Sequence, residues 1–284
     1  MSGETRALAP GLYLVATPIG TARDITLRAL DVLRDADILL AEDTRTLRKL
    51  MEIHGIPLGG RRLWAYHDHN GASVRPKIVE LVSEGASAAF ASDAGMPMIA
   101  DPGFDLARAM TERGLSVTTA PGASAPSVAL ALSGLPTDRY LFAGFLPATA
   151  SAREAALTEL ADVPATLVFF ETAKRCEAML TSVLGKLGDR EAALCRELTK
   201  RFEEVRRGRL SELIEGCETD PPRGEIVIVV DRSRETTTEA DMEEALRRAL
   251  DTMGVKDAAA FVAEGYGVKK RDAYQMALRL KSGE

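Results

Sequence analysis

The sequence predicts an α/β protein: two α/β domains, residues 11–125 and 126–232, followed by a small helical extension over residues 238–284. Three observations predict it. Short apolar runs alternate with stretches of helical spacing, the rhythm of a mainly parallel sheet with helices on its faces. Three of those runs end in loops of Pro, Gly and small residues. Past a polar stretch, Ser233–Glu239, only helical spacing remains.

In order, Leu12–Ala16 is a strand ending in Thr17-Pro18-Ile19-Gly20, and Asp24 or Thr26 is placed to cap a helix carrying Leu27, Leu30 and Leu33. A second strand, Asp37–Ala41, ends in Glu42-Asp43-Thr44-Arg45 and leads to a helix with Leu47, Leu50, Met51 and Ile53. Ser73–Gly85 reads as a helix. Ala88–Ala91 is a strand that opens into Ser92-Asp93-Ala94-Gly95-Met96 and on to Asp101-Pro102-Gly103. A helix over Leu106–Arg113 and a strand over Ser116–Ala120 follow, then the loop Pro121-Gly122-Ala123-Ser124-Ala125 and a small-residue helix to Gly134. The tips of parallel strands are where open α/β sheets bind ligands, and three such loops suggest one composite pocket.

The second domain reads as a mixed sheet. Its strands are Leu141–Leu146, Ala165–Phe170, Glu191–Arg196 and the β-branched run Gly224–Asp231, with helices after residues 151 and 174. In the extension, helical stretches at Met242–Met253, Ala258–Ala263 and Lys269–Leu280, broken at Gly265-Tyr266-Gly267-Val268, resemble a helix-turn-helix.

Bulk properties narrow the function. A chain of 284 residues that is 46% hydrophobic and 27% charged reads as globular. A net charge of −6 argues against a general nucleic-acid coat protein but leaves room for a local basic patch. Cys176, Cys195 and Cys217 show neither paired spacing nor a ligand pattern, so no disulfide framework or zinc site is expected, and a reducing, cytoplasmic setting is. No apolar run approaches the ~18 residues of a membrane span. Asp43 lies roughly at the distance of a dinucleotide-binding carboxylate, yet the first loop has one glycine, proline stands in place of the glycines that would let a pyrophosphate approach, and G-x-G-x-x-G is absent, so that reading fails. His67 and His69 flank Asp68 but lack further ligands; they read as a polar rim, and no metal is expected. Ser124 has no G-x-S-x-G elbow and reads as a structural or ligand-contacting serine. Two basic runs stand out: Arg196–Arg209, with six basic residues against three acidic, and Lys269-Lys270-Arg271. Such runs are usually solvated faces, and in an acidic protein they are also where an anionic partner docks.

Taken together, VATPIGTARDITLRAL, AEDTR, YHDHN, SDAGMPMIADPG, PGASA, GFLP, RELTK and GEIVIVV resemble, in their order, the family of ribosomal RNA small-subunit methyltransferase I, within the tetrapyrrole methylase-like (class III) superfamily of S-adenosylmethionine enzymes. The resemblance covers about residues 11–232, and the C-terminal helices look similar to the family's tail. One departure is Met96, where threonine is usual. The resemblance implies a homodimeric enzyme with S-adenosyl-L-methionine folded into a cleft between two domains. It implies methylation of the 2′-hydroxyl of cytidine 1402 in 16S rRNA on the small ribosomal subunit, with no membrane or DNA partner. Carried over by motif, Pro18 and Gly20 line the cleft floor. Ser92, Asp93, Ala94 and Gly95, with Asp101, Pro102 and Gly103, cradle the methionine part. Ser124, Ala125, Phe145, Leu146 and Pro147 frame the adenosine, and Arg196, Gly224 and Glu225 close the far side.

A ribose hydroxyl is a poor nucleophile and gains from a nearby base or a charge that steadies the forming alkoxide. Asp43 and Lys200 are the expected catalytic residues; Arg45, His67, His69, Glu197, Lys269, Lys270 and Arg271 are candidates for substrate contact. Two rivals are a superfamily methyltransferase acting on a tetrapyrrole or a protein side chain, and a non-catalytic RNA-binding factor with a ligand-filled cleft.

Overall fold

The computed structural model describes residues 7–67, 69–98, 103–232, 239–266 and 268–282. The chain forms two compact units, Met1–Arg232 and Ser233–Glu284. The polar stretch 233–238, Asp68, Gly267, and the site candidates Asp101 and Pro102 lie outside the described residues.

The first unit opens with β1 (Gly11–Val15), α1 (Leu27–Asp35), β2 (Ile38–Ala41), α2 (Thr44–Ile53), β3 (Arg62–Ala65), α3 (Gly71–Ser83), β4 (Ser87–Ala91), α4 (Phe104–Glu112) and β5 (Val117–Ala120). The five strands make one sheet, ordered β3-β2-β4-β1-β5, in which every pairing is parallel. Helices cover both faces, so residues of the central strands are mostly apolar whichever way they point. Leu12, Leu14, Ile38, Leu40 and Phe90 pack with Ile78, Val79 and Met110 on one face. Val15, Leu39, Ala89 and Ala91 pack with Val32, Leu33, Leu47 and Met51 on the other. The Thr26 hydroxyl accepts from the Ala29 N–H and caps α1, and the Asp43 carboxylate accepts from the Arg45 N–H to cap α2. Because β4 lies between β1 and β2, the chain order reverses there, and the tips of β1 and β4 sit side by side.

α5 (Ala125–Ser133) leads to β6 (Tyr140–Phe145), α6 (Ala150–Leu160), β7 (Thr166–Thr172), α7 (Cys176–Leu187), β8 (Glu191–Arg196), β9 (Glu204–Arg209), α8 (Leu210–Thr219) and β10 (Glu225–Val230). This second sheet, ordered β6-β7-β10-β8-β9, is mixed: β6 and β7 are parallel and the other pairings antiparallel. One face packs on Leu157, Met179, Leu180, Val183 and Leu213 of α6, α7 and α8. On the other, Val168, Ala193, Cys195, Val227 and Val229 meet Ala129 and Leu130 of α5, together with Ile19 from the β1 loop and Leu198. The two sheets therefore share a core through α5 and the β1 tip.

Three elements were not legible. β3 is a half-exposed edge strand whose RLWA lacks a clean alternation. β9 and α8 lay within or beyond the basic run. There Arg206 pairs with Glu204 and Asp220, Arg209 with Asp189, and Arg207 donates to the Leu132 carbonyl, so most of that run is tied internally and not held out for an anion.

The second unit packs α9 (Glu239–Leu250), α10 (Val255–Tyr266) and α11 (Lys270–Ser282) around Leu246, Ala258, Ala259, Val262, Ala273 and Ala277. Small residues at the contacts let the three helices approach closely. Lys269, Lys270 and Arg271 are exposed at the start of α11.

Candidate active site

The tips of β1 and β4 are bonded to each other before any ligand is considered. Thr17 and Gly95 exchange two N–H···O bonds of 3.0 Å, the Thr17 hydroxyl donates to the Ser92 carbonyl at 3.1 Å, and the Ser92 hydroxyl donates to the Gly95 carbonyl at 2.6 Å. Gly95 takes φ +83°, in the left-handed region that favours glycine, and a Cβ there would sit 3.2 Å from Ile19 Cγ2. Asp93 turns away from this turn and accepts the Asp43 N–H at 3.0 Å, tying the β4 and β2 tips together.

Facing these loops is a second cluster at the tips of β7, β8 and β10. Glu197 (φ +49°) and Thr199 (φ +62°) adopt left-handed backbone that non-glycine residues rarely take. Side-chain bonds hold them there. The Glu197 carboxylate accepts from the Glu225 N–H and from Lys200 Nζ, each at 3.0 Å, and Lys200 also reaches Glu225 at 2.6 Å. The Thr199 N–H donates to Glu203 at 2.6 Å. The two clusters meet where the Thr21 N–H donates to Thr199 Oγ1 at 3.1 Å and the Thr21 hydroxyl donates to the Thr199 carbonyl. Gly20 permits this seam: a Cβ on it would lie 2.6 Å from both Thr199 Oγ1 and Lys200 Cγ.

Between the clusters lies a cavity of about 380 Å³, within the range of pockets that enclose a small organic ligand. Ile19, Ala94, Gly95, Met96, Ser124, Ala125 and Pro126 line one side; Phe145, Phe170, Glu171, Thr172, Leu198, Gly224, Glu225, Ile226 and Val227 line the other. Phe170 stacks edge-on against Phe142 and Phe145, with centroids 4.8 and 5.5 Å apart, so the aromatic wall is braced. Ser124 is the residue before α5 and its side chain makes no capping bond; Ser124, Ala125 and Pro126 line the cavity, so the start of that helix, where Pro126 has no N–H to satisfy, borders it without a side-chain cap.

Of the residues expected to hold a cofactor, Ala94, Gly95, Ser124, Ala125, Phe145, Gly224 and Glu225 line the cavity. The other described ones do not line it. Ser92 and Asp93 shape the loop, and Gly20 makes the seam. Gly103 (φ +128°) starts α4 where a Cβ would strike the Phe90 ring at 2.7 Å. The carbonyls of Leu146 and Pro147 accept from Arg175, which also pairs at 3.2 Å with the buried Glu171 carboxylate, so this pair fixes the Phe145–Pro147 wall from below. Pro18 is not in the lining, and Arg196 lies across β8 and β9, paired with Glu204 at 2.6 Å. Met96, the departure in its motif, does line the cavity. Ile19, Pro126, Phe170, Glu171, Thr172, Leu198, Ile226 and Val227 are lining residues that the motifs did not single out. The one signal for several of them is that antiparallel pairing sets the β10 start beside the β7 end, Glu225 opposite Thr172 and Ile226 opposite Glu171.

Neither expected catalytic residue lines the cavity. Asp43 is at the β2 tip, where the Arg45 guanidinium bonded to it lowers its pKa to about 2. Burial works against the charge on Lys200, but bonds to Glu225 and Glu197 outweigh it and raise its pKa, so it stays an ammonium. Glu197 is lowered, first by the Glu225 N–H and then by Lys200. His67 and His69 follow the edge strand β3, ring centroids 6.0 Å apart, and His67 Nδ1 is buried with no hydrogen-bond partner among the described residues. Among the described residues no three His, Cys, Asp or Glu side chains are grouped to hold a metal, and no helix is long and apolar enough to cross a membrane.

Residues 11–214 match the Tetrapyrrole (Corrin/Porphyrin) Methylases, and residues 236–281 match the RsmI C-terminal HTH domain. Ribosomal RNA small subunit methyltransferase I of Mesorhizobium japonicum is 44% identical, over 100% of this chain and 99% of its own. The Erythrobacter litoralis protein of that name is 47% identical over 97% of each chain. The chain belongs to the ribosomal RNA small subunit methyltransferase I family. Solved structures place that family's fold among more distant proteins. A diphthine synthase (TM-score 0.58, 16% identity) is covered over 89% of its length and 78% of this chain. A uroporphyrin-III-C-methyltransferase from Thermus thermophilus (TM-score 0.55, 22% identity) is covered over 94% of its length and 78% of this chain. As a member of the small subunit methyltransferase I family, the chain is matched over both units, not only over its sheets.

Proposed function

We propose that this protein methylates the 2′-hydroxyl of cytidine 1402 in 16S rRNA on the small ribosomal subunit, using S-adenosyl-L-methionine, as a cytoplasmic homodimer that does not act on DNA. The observation that carries this reading is the likeness to small subunit methyltransferases along the whole chain, helical unit included.

The cavity suits the cofactor. Phe145 and Phe170 offer a braced aromatic wall for a purine, and the backbone of Ala94, Gly95 and the first turn of α5 offers amides for a carboxylate. We place the lobe boundary at residues 125/126. Gly20, Ser92, Asp93, Gly103, Leu146 and Pro147 are assigned to shaping the walls, and Pro18 and Arg196 to supporting them; Asp101 and Pro102 keep the role their motif implies. S-adenosylmethionine brings an electrophilic methyl group on a sulfonium, so the chain has mainly to position the hydroxyl and manage its proton. Lys200, held cationic at the cavity edge, steadies the developing negative charge on the ribose oxygen. Asp43, ionised and bonded to Arg45, accepts a hydrogen bond from the substrate; with so low a pKa it does not keep the hydroxyl proton, which passes to water as the ribose oxygen takes the methyl group. Arg45, His67, His69 and Glu197, with Lys269, Lys270 and Arg271 of the helical unit, are assigned to contacts with the RNA.

Transfer of a radiolabelled methyl group to undermethylated 30S subunits tests the reading, with protein-free 16S rRNA and RNA-free reactions in parallel. Label mapped to the ribose of cytidine 1402 is the expected result. No label on either RNA, with saturable cofactor binding intact, would overturn it in favour of a tetrapyrrole or protein acceptor.

A further inference from the structure

Within the Arg196–Arg209 run, Arg201 differs from its neighbours. Lys200, Arg196, Arg206 and Arg209 are ion-paired and Arg207 is bonded to a carbonyl, whereas Arg201 has no polar partner among the described residues. Its guanidinium carbon instead lies 5.4 Å from the ring centroid of Phe202, which is 62% exposed. A large aromatic ring left in water with a guanidinium against it, on a loop fixed by bonds from Glu197, Thr199 and Glu203, is a ready stacking surface. Its place is defined. Leu198, on the same loop, lines the cavity, and Thr199 is bonded to Thr21. From Thr21, the other partner in that bond, the chain runs on to Leu27, 80% exposed, which lies in sequence between Arg23 and Arg28, both exposed and without an ion pair among the described residues. Three arginines without an ion pair among the described residues and two exposed apolar side chains thus lie within a few residues of Thr21 or Thr199, the bonded pair, in a protein whose net charge is −6.

We propose that Arg201 and Phe202, with Arg23, Leu27 and Arg28, form the docking surface for an unpaired stretch of the RNA substrate. A base beside the target nucleotide stacks on Phe202 and Arg201, and the free guanidiniums meet the neighbouring phosphates. The inference rests on the methyltransferase reading above. Its occupant is RNA because the surface joins a π face to unpaired cations, the two features single-stranded nucleic acid recognises. A bare apolar patch would suit a second copy of the chain; this patch is edged with like charges that would repel their own copies across a two-fold axis.

The test uses the full-length protein, undermethylated 30S subunits and S-adenosylhomocysteine as the cofactor probe. Phe202→Ala is expected to raise KM for 30S roughly tenfold to a hundredfold, with kcat and S-adenosylhomocysteine affinity by calorimetry unchanged. Phe202→Trp is expected to restore KM. Arg201→Glu and Arg28→Glu are each expected to flatten the salt dependence of 30S binding by about one unit of slope. An active parent with an unchanged KM in Phe202→Ala overturns this inference alone. So does a Phe202→Ala variant whose activity loss tracks subunit dissociation in light scattering, which would make the patch a contact between copies. A parent that transfers no methyl to 30S overturns the reaction itself.

Discussion

Gly224 carries more of the site than its lack of a side chain suggests. It takes φ +84°, and a Cβ there would lie 2.3 Å from Glu197 Oε1, the atom that accepts both the Glu225 N–H and Lys200. Gly224→Ala is expected to cost about 1–3 kcal/mol of stability in denaturant titrations and to weaken S-adenosylhomocysteine binding at least tenfold by calorimetry. Unchanged values of both would remove Gly224 from the site. Asp43 gives a pH signature. Its pKa is lowered from 3.8 to about 2 in the folded chain, first by the side-chain bond to Arg45. A depressed folded value means that its contribution to stability is complete above about pH 4 and is lost as pH falls towards 2. Asp43→Asn should therefore shift a pH–stability curve by a constant amount above pH 4 and remove part of its fall below it. A difference that grows between pH 6 and 8 would contradict this. Single residues were also where the sequence was most uneven as a guide. Gly95 and Gly224 sit in motifs with visible turn chemistry. Glu171 and Leu198 look like ordinary strand and loop residues, and only the meeting of two lobes makes them part of a wall.

Among the elements, the central parallel strands were easy to read because helices cover both faces of the sheet there and nearly every position is apolar, as in ILLA of β2. β9 was not, because an edge strand tolerates charge: in EVRRGR, Arg206 pairs with Glu204 of the same strand and with Asp220, and Arg209 pairs with Asp189. The start of the central strand pair has its own lock. Asp37 accepts from both the N–H and the hydroxyl of Ser87, at 2.8 and 2.6 Å, and the Ser87 oxygen accepts the Asp37 N–H at 3.1 Å. These bonds hold the Asp37 carboxyl below its usual range. Ser87→Ala should cost about 1–2 kcal/mol at pH 7. Because the lowered pKa stabilises the fold above the unfolded value, the gap between parent and variant should narrow as pH drops through the carboxylate range. A gap that widens on acidification would show that the bond is not the cause.

At the scale of the molecule, each unit has its own core, that of the second resting on Leu246, Ala258, Val262 and Ala277. A chain ending at Arg232 should keep the fold and bind S-adenosylhomocysteine within about threefold of the parent, yet lose most of its activity on 30S subunits. Full activity of the truncated protein would show that the helical unit does not serve substrate docking. The second unit could be anticipated as helical from its spacing, whereas its third helix packing on the other two depends on alanines that carry little signal individually.

The bonds between Thr21 and Thr199 have a consequence for turnover. They join the lips of the cavity at one side, so the folded chain already carries the shape that a guest would otherwise have to impose. Little conformational freedom is left to lose on association, which favours tight capture of cofactor and by-product alike. The same pre-shaping should make departure of the spent by-product slow, and a burst of methyl transfer in the first turnover, followed by a slower steady rate, is the result expected if its exit sets the pace of successive cycles.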